Sequence, residues 1–275
     1  MSTTWQSQTP PPPVPAFGAA GWARVAIRGL ALFVLVFGGL LLMLLMRLLE
    51  RPLYGARRPL TPFITVFVCR NALRILGIRL DQRGHFAPEA RAVVANHASW
   101  LDILVLNAVK RVYFVSKAEV AGWPGIGWLA RATGTVFIER ARARAAEQAA
   151  LFQARLSAGH RLLFFPEGTS SDGLRVLPFK TTLFAAFFAD GLREEISIQP
   201  VSVRYNAPGH TDARLYGWWG DMTFGSHFLT ILATFPQGSV TVTYHRPLRV
   251  AAHADRKHLA AACEEAVRLG FVSAL

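Results

Sequence analysis

The stretch Arg91-Ala92-Val93-Val94-Ala95-Asn96-His97-Ala98-Ser99-Trp100-Leu101-Asp102 decides how the rest of the chain is read. Its first half is a short apolar run with paired valines, the pattern of a strand buried on both faces. Its second half is a polar break that opens into the apolar helical stretch Trp100–Val109. The same alternation continues downstream. Runs at 111–116, 134–139, 161–166, 196–205 and 239–245 read as strands. Residues 141–158, 179–190 and 228–235 read as helices. Helical crossovers between buried strands imply an α/β domain with a mixed, largely parallel sheet flanked by helices, over about residues 81–250. A closing helix follows within 251–275. In such sheets ligands bind beyond the carboxyl ends of the strands, so the loops at those ends are where chemistry is sought.

Upstream the character changes. Residues 1–27 hold Pro10, Pro11, Pro12, Pro13 and Pro15 among Ser, Thr and Gln, and read as a flexible tail. Gly29–Met46 carries no charge, and its 18 residues make about 27 Å of helix. That length suits either a short crossing of a core about 30 Å thick or a helix dipping into one leaflet. No small-residue cleavage site follows, so the segment 28–80 reads as a retained membrane-anchoring helical region. Arg47, Arg51, Arg57 and Arg58 follow the apolar run against Arg24 and Arg28 before it. This asymmetry places the main domain on the cytoplasmic side of the inner membrane. A second apolar stretch, Phe63–Leu80, carries Arg70 and Arg74 on one helical face. It reads as a helix in the interface with its arginines toward phosphates, or as a helix covering the core with its arginines in water.

The 275 residues suffice for one catalytic domain plus an extension. A hydrophobic fraction of 52% with mean hydropathy +0.29 excludes a disordered chain. Thirty Lys and Arg against 17 Asp and Glu give a net charge of +13, compatible with nucleic acid, an anionic membrane or an acidic substrate. No nucleic-acid motif accompanies that charge. Cys69 and Cys263 are the only cysteines and lack paired metal-ligand spacing, so neither a zinc site nor a disulfide framework is expected.

Two loops carry candidate chemistry. His97 and Asp102 are five apart and cannot share a face of one straight helix. They can meet if His97 lies in the loop and Asp102 in the first helical turn. Ser99 with Asp102 also fits a capping box. An imidazole oriented by a carboxylate is a competent general base near neutral pH. No Gly-x-Ser-x-Gly nucleophile elbow is present, so the pair suggests that the substrate supplies the hydroxyl. The second loop, Pro166-Glu167-Gly168-Thr169-Ser170-Ser171-Asp172-Gly173, reads as a tight turn or as a cradle of amides for an anion.

Four ordered blocks then carry a resemblance. Asn96-His97 with Asp102, Phe137-Ile138-Glu139-Arg140, Phe165-Pro166-Glu167-Gly168-Thr169 and Ile198-Gln199-Pro200-Val201 together resemble the glycerolipid acyltransferase family, lysophosphatidate acyltransferases in particular. The resemblance implies a membrane enzyme that moves a fatty acyl group from acyl-CoA or acyl carrier protein to the hydroxyl of a lysolipid, with 1-acyl-glycerol-3-phosphate as the acceptor, and needs neither metal nor cofactor. It implies His97 as general base and Asp102 as its orienter. Arg140 would contact an acceptor phosphate, Glu167, Gly168 and Thr169 would shape the acceptor site, and Pro200 would line the acyl-donor region. Two positions depart from the family. Ser170 stands where an arginine often helps hold phosphate, and the family's Phe-Lys-x-Gly becomes Phe179-Lys180-Thr181-Thr182, keeping the lysine alone. Tyr216–Met222 is similar to a stretch of a bacterial subgroup that includes lyso-ornithine lipid acyltransferases, whose acceptor has no phosphate. Its tryptophans equally suit a membrane-interface belt. A non-catalytic lipid-binding protein is the alternative from another class. The remaining histidines are expected at the surface or satisfied in the core.

Overall fold

The computed structural model describes residues 4–139, 144–189 and 191–274. Seven α-helices and eight strands are described there. The strands are β1 (Arg79–Arg83), β2 (Ala90–Ala95), β3 (Tyr113–Lys117), β4 (Val136–Ile138), β5 (Leu162–Phe164), β6 (Ser197–Asn206), β7 (Ser239–Tyr244) and β8 (Leu248–Arg249). They form one sheet in the order β1-β7-β6-β2-β5-β3-β4, with β8 alongside β6. The pairs β2–β5, β2–β6, β3–β5, β3–β4 and β1–β7 are parallel, and β6 meets β7 and β8 antiparallel. The mixed, largely parallel sheet is therefore present as read. Ala92, Val94, Leu162 and Ile198 are fully buried, as strands covered on both faces require.

The helices are α1 (Ala19–Tyr54), α2 (Thr61–Leu76), α3 (Leu101–Val109), α4 (Ile126–Thr133), α5 (Ala145–Ser157), α6 (Phe224–Ala233) and α7 (Arg256–Val272). The segment 179–190, read as a helix, forms only a 3₁₀ stretch at Leu183–Phe188. Its phenylalanines 184 and 187 still reach the core beside Phe164.

The N-terminal region departs most from its sequence reading. Helix α1 begins at Ala19 inside the expected tail and runs 36 residues to Tyr54. Residues 4–18 are extended, and part of this segment is fastened to the domain. The Trp5 N–H donates to Thr169 Oγ1, the Trp5 carbonyl accepts from Gly220 N–H, and Arg214 donates to Thr9 Oγ1 and the Pro10 carbonyl. A proline-rich segment has little backbone entropy left to lose, so a few contacts suffice to hold it.

Helix α2 is a core helix on one face, with Cys69, Ala72, Leu73 and Leu76 buried. Arg70, though exposed, donates from Nε to the Ala108 carbonyl at the end of α3. That cation at a helix C-terminus satisfies an otherwise orphaned carbonyl. Arg74 is exposed and bonds Asn71. Helices α1 and α2 cross at Gly39, where any Cβ would lie 2.4 Å from a Val68 methyl.

Candidate active site

The carboxyl ends of β2 and β5, neighbours in the sheet through Val94 and Phe164, deliver the two loops singled out by sequence to the same place. His97 leaves β2 in the loop and Asp102 stands in the first turn of α3, the arrangement their spacing demanded. His97 Nδ1 lies 2.7 Å from Asp102 Oδ2. That oxygen also accepts the N–H groups of Ala98 and Ser99 at 2.7 and 3.1 Å, while Ser99 Oγ accepts from Leu101 N–H. One carboxylate thus meets both the backbone donors at the start of α3 and the imidazole. Asp102 is fully buried, whereas the imidazole keeps 21% of its surface open. With Nδ1–H donated to the carboxylate, Nε2 is left as the free basic atom.

The second loop grips the first. Glu167 Oε1 accepts the His97 N–H at 3.2 Å, and Ser171 N–H donates to the His97 carbonyl at 3.0 Å. The Phe165 ring stacks on the imidazole, 4.0 Å between centroids and 9° from parallel. Gly168 takes φ +77°, a left-handed turn that a side chain would strain. Glu167 is 1% exposed, so its carboxyl is enclosed by the fold. Burial pushes its carboxyl well above the usual range and the Asp102 charge pushes the same way, while the His97 N–H opposes.

Ser170 and the Tyr216–Met222 segment, far apart in sequence, meet here. Ser170 Oγ donates to the Trp218 carbonyl, and Trp218 N–H donates to the Ala98 carbonyl at 2.9 Å. Gly217 runs against the backbone of Asp172 so closely that a Cβ would fall 2.5 Å from its carbonyl. Tyr216 and Trp219 are 1% and 2% exposed, so the belt reading does not hold for them. The Trp5 ring faces Trp219 at 6.5 Å and lies beneath the Arg175 guanidinium at 5.3 Å.

Other expected site residues are less central. Arg140 lies outside the described residues. The Lys180 side chain is exposed, and its backbone N–H donates to the Pro166 carbonyl. Pro200 is buried inside β6 opposite Val94, short of the strand end that carries the dyad's neighbours.

Sequence reasoning singled out Pro200 of β6 but missed Val203 and Tyr205 further along the same strand. Asn96 clasps Val203, giving its amide N–H to the Val203 carbonyl and accepting the Val203 N–H, both at 2.8 Å. Two residues on, Tyr205 Oη donates to Asp102 Oδ1 at 2.8 Å. The period-two spacing of Val203 and Tyr205 was visible in the strand, but their partner was not. Among the histidines, His227 accepts from Trp100 Nε1 and donates to the Leu215 carbonyl. His245 bonds Ser202, whose hydroxyl is committed to the Val267 carbonyl. His227 is thus a satisfied buried group, and His245 is half-buried. Among the described residues no cluster of three or more His, Cys, Asp or Glu could hold a metal ion.

The histidine–aspartate pair thus sits beyond the carboxyl ends of two parallel strands, where the sequence reading looked for the chemistry. The acyltransferase family profile matches residues 79–204, the span from β1 into β6. The chain is 55% identical over 266 residues to a lyso-ornithine lipid O-acyltransferase of Rhodobacter capsulatus, covering 97% of this chain and 96% of that one. It is 38% identical over 141 residues to a 1-acyl-sn-glycerol-3-phosphate acyltransferase of Neisseria gonorrhoeae, covering 50% and 53% of the two chains. The crystal structure of the 1-acyl-sn-glycerophosphate acyltransferase PlsC from Thermotoga maritima shares the fold, with TM-score 0.63 at 22% identity over 92% of this chain and 97% of that one. The chain belongs to the acyltransferase family and is an O-acyltransferase, as its four ordered blocks implied.

Proposed function

We propose that this enzyme acylates the free hydroxyl of lyso-ornithine lipid at the surface of the cytoplasmic membrane, with acyl-CoA or acyl carrier protein as donor. Ser170 carries the choice of acceptor. At the position where an arginine would offer a bidentate grip on phosphate, a buried serine spends its hydroxyl on the Trp218 carbonyl. Similarity to the Rhodobacter capsulatus enzyme over nearly the whole chain supports the same acceptor. A 1-acyl-glycerol-3-phosphate acceptor is the second reading, favoured by the exposed Lys180 and by similarity to the Neisseria gonorrhoeae enzyme.

His97 Nε2 removes the proton of the acceptor hydroxyl as its oxygen attacks the thioester carbonyl. The C–O bond forms, the C–S bond breaks on collapse, and the proton passes from the imidazolium to the departing thiolate. Asp102 holds the ring's tautomer and balances the imidazolium charge, a contribution of about 10²–10⁴-fold for such general-base catalysis. Glu167, Gly168 and Thr169 shape the acceptor side of the site.

Helix α1 supports membrane attachment. Leu30, Phe33, Leu41, Leu48 and Leu53 are each at least 59% exposed, an apolar surface that lipid would cover. Near one end of the helix, Arg24 and Arg28 donate to carbonyls at the end of α6. Near the other, Glu50 binds Leu60 and Thr61, and Arg58 binds Ala132. Both ends held by one domain favour a helix lying within a single leaflet over one crossing both. The arginines near its C-terminal end and the +13 charge suit the anionic cytoplasmic face.

The test is acyl transfer by detergent-purified protein, wild type beside His97→Ala, with labelled acyl thioester and either lyso-ornithine lipid or 1-acyl-glycerol-3-phosphate. Product with the ornithine acceptor, lost by 10²-fold or more in the variant, is expected. Product with the phosphate acceptor alone would replace the first reading by the second. Undiminished activity in His97→Ala would remove the base assignment.

A further inference from the structure

Asp102 divides its two oxygens unequally. Oδ2 takes three donors, from His97, Ala98 and Ser99, while the only donor to Oδ1 among the described residues is the Tyr205 hydroxyl. The tyrosine comes from the far side of the site's framework. It sits on β6, 4% exposed, with its ring against Tyr216 at 5.2 Å. Its neighbour Val203 is already clasped by Asn96, so one strand holds both ends of the loop that bears His97.

We infer that Tyr205 is a positioning residue of the dyad, fixing the plane and the charge of Asp102 so that His97 presents Nε2 to the acceptor hydroxyl. A carboxylate held by one oxygen could rotate about its Cβ–Cγ bond, and the imidazole would turn with it. A donor on each oxygen removes that freedom. When His97 takes the acceptor proton, the imidazolium Nδ1–H faces a carboxylate that must stay ionised. The Tyr205 O–H draws charge onto Oδ1 and keeps the proton on the ring. Burial and the neighbouring Asp102 charge push the Tyr205 phenol well up, so it remains a donor at any working pH.

The inference rests on the acyltransferase reading of His97 and is tested on the full chain in mixed micelles, with labelled acyl thioester and lyso-ornithine lipid. Tyr205→Phe is expected to lower kcat by about 10- to 100-fold, the worth of a charge-assisted hydrogen bond. KM for donor and acceptor should stay within about twofold. In an Asp102→Asn background the same substitution should cost less than about twofold, because the carboxylate charge that Tyr205 steadies is gone. A wild-type kcat in Tyr205→Phe, a loss confined to KM, or an equal loss in the Asp102→Asn background would each overturn the inference. Should Tyr205→Phe not fold, 3-fluorotyrosine at this position keeps the shape with a more acidic hydroxyl. A kcat change above about twofold at constant KM is then expected, and an identical kcat overturns the inference. Full activity in His97→Ala would instead mean that the underlying base assignment has failed.

Discussion

Gly217→Ala is the substitution whose outcome the structure dictates most directly. Residue 217 passes the 172 backbone so closely that a methyl group would sit 2.5 Å from both the carbonyl carbon and oxygen of Asp172, and 2.8 Å from its Cα. Ordinary contact needs about 3.5 Å, so one backbone must retreat by about 1 Å. Neither segment is free to do so. Asp172 is 1% exposed and follows Ser171, which holds the His97 carbonyl; Trp218 is tied to Ala98 and Ser170. Overpacking of this kind costs about 1–3 kcal/mol. At about 2–4 °C per kcal/mol for a chain of this size, the melting temperature should fall by roughly 2–12 °C. Because the strained contact lies between the loop that grips His97 and the loop bonded to Ala98, the shift reaches the base itself. A misplacement of about 1 Å at a reacting group costs about 10²-fold in rate. Thermal melts and initial acyl-transfer rates on purified protein measure both effects. Gly225→Ala is the control, since nothing lies within 4 Å of its added methyl, and it should be neutral or slightly stabilising. Wild-type stability and rate in Gly217→Ala would refute the account of how the two loops are coupled.

Two further expectations follow from the same geometry. Burial holds the His227 imidazole neutral, with its pKa pushed down from 6.5 to about 4. A base depressed on folding supports the native state above pH 6.5 and withdraws that support as pH falls toward 4. Acidification should therefore cost about 3 kcal/mol from this group, and melting curves against pH should be shallower in His227→Asn over that window. At the other end of the chain, Trp5→Ala removes a ring from Trp219 and Arg175 beside Thr169. It should raise KM for the acceptor severalfold and leave kcat within about twofold, as steady-state kinetics would read, because Trp5 touches Thr169, proposed above to shape the acceptor side, and not His97 or Asp102.

The strands and the dyad were legible because their signals are local. Val93 and Val94 announce a buried strand through composition alone, and the five-residue step from His97 to Asp102 is short enough for backbone geometry to decide that they can meet. Arg70 was legible as a helix residue but not as a cap on Ala108, since that carbonyl belongs to an element 38 residues away. The tail was misread for the same reason. Proline richness speaks of a segment's own inability to form a core, and says nothing about a surface such as Trp219 and Thr169 waiting to receive it.

The amino-acid sequence by itself therefore determined the alternating α/β order, the apolar N-terminal helix and the short step that lets His97 meet Asp102. Each of these rests on interactions within a few residues or on the period of a single element. The tertiary structure alone decided that Ser170 spends its hydroxyl on Trp218, that Tyr205 reaches Asp102 from β6, that Trp5 meets Thr169, and that Arg214 holds Thr9 and Pro10. Those contacts join residues 48 to 205 positions apart, and only the packing of the sheet and its loops brings such partners within hydrogen-bond reach.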